Sequence, residues 1–148
     1  MKYQILLVAL LILGLSSCQN KSNAQDNSKA MAPEAVKKTF QAKYPGENDP
    51  DWHLDNNGFW EANFKIDGEK YRADFNEDGS WVETENSLKK KNLPEGVLKT
   101  MKDKFGNEDF TEAERVDHST KGIFYDIEFK QKGKNMDIEM REDGTIIN

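Results

Sequence analysis

The sequence predicts an α+β domain: two tandem helix-plus-antiparallel-strand repeats that share one curved antiparallel sheet, with both helices on one face. Three observations predict it. The chain repeats itself internally, each copy opens with a short apolar helical stripe, and the rest of each copy alternates with period two between glycine turns.

The repeat comes first because it fixes the architecture. Pro33-Glu34-Ala35-Val36-Lys37-Lys38-Thr39-Phe40 is answered by Pro94-Glu95-Gly96-Val97-Leu98-Lys99-Thr100-Met101, 61 positions later. Asn57-Gly58-Phe59-Trp60 is answered by Lys121-Gly122-Ile123-Phe124 at an offset of 64. Asp67-Gly68 matches Lys132-Gly133, and Glu77-Asp78-Gly79 matches Glu142-Asp143-Gly144, both at 65. Matches in this order place repeat one at 32–88 and repeat two at 92–148.

Each helix is read from its ends and its stripe. Pro33 and Pro94 suit a first turn, where a missing N–H costs nothing. Glu34 and Glu95 favour the positive end of the helix. Val36, Phe40 and Tyr44 form one stripe and Val97, Met101 and Phe105 the other; Pro45 and Gly106 stop the two helices.

The strands follow. Trp60, Ala62, Phe64 and Ile66 share one face against Glu61, Asn63 and Lys65; after Asp67-Gly68, Tyr71, Ala73 and Phe75 alternate with Lys70, Arg72 and Asp74. In the second copy Ile123, Tyr125, Ile127 and Phe129 face one way, then Met136, Ile138 and Met140 after Gly133. Such alternation means antiparallel strands wet on one side, and the two-residue glycine turns mark hairpins. Trp52-His53-Leu54 and Arg115-Val116-Asp117 predict an earlier strand in each copy, Trp81-Val82 and Thr145-Ile146-Ile147 a short last one. Glu85 to Asn92, with Lys89-Lys90-Lys91, reads as a solvated connector. One copy alone makes a marginal core, so the two are expected to share a sheet.

Ahead of the domain, residues 1–17 read as a lipoprotein signal peptide. Lys2 precedes an apolar run from Ile5 to Leu13, which is short of the ~20 residues of a membrane span. Leu15-Ser16-Ser17-Cys18 then has the form of a lipobox, with Cys18 as the lipidated residue. Residues 18–31 form a polar tether, leaving 32–148 as the domain. Cys18 is the sole cysteine of the 148 residues, so a lipidated chain has no thiol left for disulfide, zinc or nucleophilic chemistry. Removing the signal takes the net charge from −6 to −7, which repels phosphate backbones and argues against nucleic acid. Gln19 in place of an aspartate leans toward an outer-membrane anchor facing the periplasm.

The residues Pro33-Glu34-Ala35-Val36, Phe40, Tyr44-Pro45, Trp52, Trp60 and Asp78-Gly79-Ser80-Trp81 resemble the PepSY-like lipoproteins, also described as beta-lactamase-inhibitor-like. The resemblance covers about residues 32–148. The second copy departs from it, with Gly106 in place of the proline and Thr145 after Gly144 in place of the tryptophan. The resemblance implies a small extracytoplasmic binding module that restrains or contacts peptidases or other envelope enzymes, and it implies no catalytic residues.

Among candidate sites, Asp74, Asn76, Asp78 and Glu85 have the spacing of a calcium loop. Asp67-Gly68 and the strand-like Glu69 to Ala73 leave no room for the entering helix, so a hairpin turn at Asp78-Gly79 competes with that reading. His53 and His118 occupy similar places in separate repeats and are not expected to converge on a metal. No Gly-x-Ser-x-Gly motif occurs, and facing charges such as Arg72 and Asp74 read as cross-strand pairs rather than an acid–base couple. Phe59 and Phe124 fall on the polar face by alternation, and with Trp81 they are the candidate partner-binding aromatics. The expectation is a non-enzymatic lipoprotein without a cofactor that binds a protein or peptide through its sheet. The alternatives are a small-ligand or calcium-binding sensor module of the periplasm, and an accessory protein whose main feature is its anchor.

Overall fold

The computed structural model describes residues 31–106 and 108–148. The signal segment, Cys18 and the tether up to Ala30 lie outside the described residues. The order of elements is α1 (Glu34–Lys43), β1 (Asp51–Leu54), β2 (Trp60–Ile66), β3 (Glu69–Phe75), β4 (Trp81–Ser87), a 3-10 turn (Lys90–Asn92), α2 (Glu95–Phe105), β5 (Asp109–His118), β6 (Gly122–Gln131) and β7 (Lys134–Met140). All seven strands pair antiparallel in chain order in a single open sheet, as expected for two repeats sharing one sheet.

Register decides which residues share a face. Ala62 lies opposite Ala73, Phe64 opposite Tyr71, Arg115 opposite Tyr125, and Ile127 opposite Ile138. These belong to the side that carries both helices. Val36, Phe40 and Tyr44 of the first helical segment pack with Ala62, Phe64, Ala73 and Phe75. Val97 and Met101 of α2 pack with Ala113, Tyr125, Ile127, Phe129 and Met140. Phe40 is the hub of the first core; its ring lies 5.0 Å from Phe64 and 5.1 Å from Tyr44, centroid to centroid.

The two cores stay separate because a polar seam runs between them. On the helix side of β4 and β5, Thr84 faces Asp117 and Asn86 faces Arg115. Thr84 anchors this seam to the first core. Its hydroxyl hydrogen-bonds the Tyr44 hydroxyl and accepts from Trp81 Nε1 at 3.0 Å. Burial pushes the Tyr44 phenol up to about 12, so it stays neutral.

The seam also explains where the sequence reading fell short. β4 runs to Ser87, so Glu85 belongs to a strand and not to the connector. Central strand β4 is polar on both faces, Thr84 and Asn86 on one and Glu83 and Glu85 on the other, so no apolar alternation marks it. β5 is likewise ten residues long, with a register shift between Phe110 and Glu112. The last segment of the second copy is shorter than a strand, with one bridge from Ile146 to Met140.

The repeated Glu-Asp-Gly turns have a packing cause. At Gly79 the backbone has φ +87°, and an added Cβ would lie 2.6 Å from the Ala35 carbonyl oxygen. Gly144, at φ +85°, presses in the same way on Gly96 and Thr100 of α2. Each hairpin turn therefore seats against the first turns of its own helix, a contact that a side chain would block.

Candidate functional site

The opposite face of the sheet carries no described helix. Register places Glu61 and Asn63 of β2, Arg72 and Asp74 of β3, and Glu83 and Glu85 of β4 on it. Glu114, Val116 and His118 of β5, Phe124 and Asp126 of β6, and Glu139 of β7 complete it. Acidic residues at the polar positions of adjacent strands thus form a row across β3 to β6.

The row departs from ordinary cross-strand charge pairing. Asp74 faces Glu83, a like charge, while Arg72 faces Glu85. The expected Arg72–Asp74 cross-strand pair is therefore corrected: both sit on β3, two residues apart. The Arg72 guanidinium is instead ion-paired with Glu85. Asp74 and Glu85 are each only 7% exposed. Asp74 Oδ1 and Asp126 Oδ1 are buried without a hydrogen-bond partner, and so is Arg72 Nε. A buried carboxylate needs a counter-charge or a proton. With one guanidinium shared among five carboxylates, the proton takes that role. Burial first, then Glu85, Glu61 and Glu83, push Asp74 up to about 7 against the pull of Arg72. Burial and Glu85 push Glu114 to about 7, and burial with Asp137 and Glu139 pushes Asp126 to about 6. Burial and Glu85 also raise Glu83.

This arrangement can attract cations and exchange protons near neutrality. A cleft between α1 and β1, about 370 Å3 and lined by Phe40, Gln41, Pro50 and Trp52, contains none of the row's carboxylates. Among the described residues no group of three or more His, Cys, Asp or Glu side chains is arranged to hold a metal ion.

The individual candidates fall as follows. Asp74 and Glu85 of the calcium-loop spacing lie on paired strands, and Asn76 and Asp78 lie in the turn between them. The Asn76 N–H donates to the Ser80 carbonyl and the Gly79 N–H to that of Asn76, 2.8 and 2.9 Å. That is a β-hairpin, and its ends do not encircle a common point. His53 and His118 stand on β1 and β5 with three strands between them. The His118 ring is already engaged, its Nδ1 accepting from the Thr120 backbone N–H at 3.1 Å.

The three aromatics separate. Phe59 is half-buried ahead of β2, its N–H donating to Asp55 Oδ1 at 2.7 Å. Trp81 belongs to the helix side and not to the open face; it packs on the first core with the Lys43 ammonium 3.5 Å above its ring. Phe124 does lie on the open face but is 3% exposed, opposite Val116 and beneath Lys121, whose Nζ is 5.1 Å from its ring centroid. It serves as floor, not as an exposed anchor. Lys121 is held there by Glu139 at 2.7 Å. Period-two reading gave the face of Phe124 correctly, but not the neighbours that cover it.

Comparison with known proteins adds a family. The model of the PepSY-like family, provisionally described as beta-lactamase-inhibitor-like, matches residues 56–148. No curated protein shows significant sequence similarity. Several solved structures share the fold, among them the following three. A BLIP-like protein from Bacteroides fragilis NCTC 9343 is 20% identical, with TM-score 0.73 over 84% of this chain and 89% of that one. A DUF2874 family protein from Bacteroides ovatus ATCC 8483 is 23% identical, with TM-score 0.72 over 80% and 86%. A protein of Bacteroides eggerthii DSM 20697, provisionally described as periplasmic, is 17% identical, with TM-score 0.71 over 80% and 88%.

Proposed function

The chain belongs to the beta-lactamase-inhibitor-like, PepSY-like family, and on that premise we propose that it is a non-enzymatic envelope lipoprotein that binds a protein or peptide partner through the open face of its sheet. The partner class is a peptidase or another envelope enzyme. One observation carries the reading: both helices and both apolar cores lie on one side, leaving the other side of a seven-stranded sheet without a covering described element. A sheet face of this kind presents fixed side chains from several strands at once, which suits recognition by surface complementarity. The provisional periplasmic description of the Bacteroides eggerthii protein agrees with an envelope address. In this reading the lipobox Leu15-Ser16-Ser17-Cys18 supplies the anchor through Cys18, at the outer membrane facing the periplasm.

The test uses the lipidated full chain in its native envelope. A photo-crosslinking side chain is placed at Asn63 on the open face or at Lys102 on α2. Capture of one envelope protein from Asn63 and not from Lys102 is the expected result. Capture only from Lys102, or none from either, contradicts it. Separately, Cys18→Ser is expected to abolish labelling by radioactive palmitate and release the chain from the membrane fraction; retention of both would remove the anchor.

A further inference from the structure

We infer that the carboxylate row formed by Asp74, Glu85, Glu114 and Asp126 is the receptor for an extended basic segment of the protein partner, whose lysine or arginine side chains lie across the middle of the open face. The inference rests on the open-face reading above and specifies its chemistry. Its first support is that the acceptors are built and unused. Asp74 is more than nine-tenths buried, yet its Oδ1 has no hydrogen-bond partner, and Asp126 Oδ1 shares that state. The guanidinium among them, Arg72, is committed to Glu85. Arg72 Nε is itself unpartnered, so what the row lacks is N–H donors placed to reach these oxygens, which lysine and arginine bring without adding a single acceptor.

Its second support is shape. The four carboxylates come from four successive strands, β3 to β6, and the register steps them four residues along the strands, so at ~4.8 Å per strand and ~3.4 Å per residue the row runs obliquely for about 20 Å. Nothing in it forms a metal cage among the described residues. An elongated acidic strip fits an extended basic segment better than a compact ion. The net charge of the chain, −6, steers such a partner toward it.

In the free protein, protons stand in for the guest. Asp74 is faced by Arg72 on its own strand, Glu61 on β2, and Glu83 and Glu85 on β4. Glu114 is faced by Glu112 on its own strand, Glu85 on β4 and Arg72 on β3; Asp126 by Asp137 and Glu139 on β7 and by Glu85. Glu83, at the edge of the row, is eased by His118, Arg72 and Lys121. A guest cation displaces these protons, so binding strengthens as pH rises. For one group titrating at about 7, affinity falls about 30-fold from pH 8 to pH 5.5.

The probe is a hexa-arginine peptide, with hexacitrulline as its uncharged counterpart, titrated calorimetrically into the lipidated full chain in detergent at physiological salt. Glu114→Gln/Asp126→Asn is compared with Glu34→Gln/Asp103→Asn, which changes the net charge equally on the helices. Hexa-arginine is expected to bind and hexacitrulline not. The open-face pair should weaken binding tenfold or more, the helix pair less than twofold, and acidification should weaken it as above. Equal weakening by both pairs, absence of binding, or tighter binding at low pH overturns the inference. If the crosslinked envelope partner binds the open face but is indifferent to Glu114→Gln/Asp126→Asn, this inference fails while the open-face reading stands. Capture from α2 alone removes both.

Discussion

Replacing Asp74 by asparagine is expected to stabilise the protein, by an amount that grows as pH rises from 4 and is full above neutral pH. The carboxyl group titrates at about 7 in the folded state against 3.8 for the free side chain. The native state therefore binds its proton more tightly than the unfolded chain does. Between pH 3.8 and 7 the unfolded chain releases that proton first, so stability declines as pH rises and the loss is complete above pH 7. A shift of about three units corresponds to about 4 kcal/mol. Glu83, Glu85 and Glu114 share the strain and relax when Asp74 changes, so about half, roughly 2 kcal/mol, is the expected gain at pH 8. For a domain of this size that raises the melting temperature by about 8 °C. The assay is thermal unfolding by circular dichroism of the chain from Gln19 onward, wild type and Asp74→Asn, at pH 4 and pH 8. The gain at pH 8 should shrink toward zero at pH 4. An equal effect at both pH values, or a loss at pH 8, would refute the reasoning, because Asp74 would then be a compensated structural anion.

Other perturbations follow from the packing. Phe40→Ala removes the hub of the first core, at 2% exposure, and should cost about 3–5 kcal/mol in urea unfolding. Gly79→Ala places a methyl group against the Ala35 carbonyl at a positive φ, and should cost about 1–3 kcal/mol by the same measurement. Gly58→Ala, at φ +89° with open space around it, shares the backbone strain but not the clash, and should cost about 1 kcal/mol.

The charge cost at Asp74 fits a face that serves recognition and not stability, since binding sites commonly sacrifice stability for function. The like-charge contact between Asp74 and Glu83 is the local rule that the fold breaks, and such breaks concentrate at functional positions.

How much of this was readable in advance depended on which residues carried the signal. The shared sheet and one-sided helices followed from Val36, Phe40, Val97 and Met101 at helical spacing and from alternating apolar residues in β2, β3, β6 and β7. β4 was underestimated because Thr84, Asn86, Glu83 and Glu85 make it polar on both faces, and only its two neighbours in the sheet hold it as a strand. That same error hid the site. With Glu85 assigned to a connector, the row from Asp74 through Glu85 to Glu114 could not be assembled, although each residue sat at a polar position. A signal was present in the acidic bias of those positions, but its meaning depended on the β3–β4–β5 register, which local alternation does not supply. Trp81 misled for a related reason. The register shift next to Phe75 sets it on the helix side, against Lys43.

The most direct test of the central claim is carboxyl footprinting by carbodiimide of the complex with the protein captured from the envelope. The open-face carboxylates Glu83, Glu114, Asp126 and Glu139 are expected to lose reactivity on binding, while Glu34, Glu95 and Asp103 on the helices keep theirs. Protection of the helix carboxylates with the open face unchanged would contradict the account.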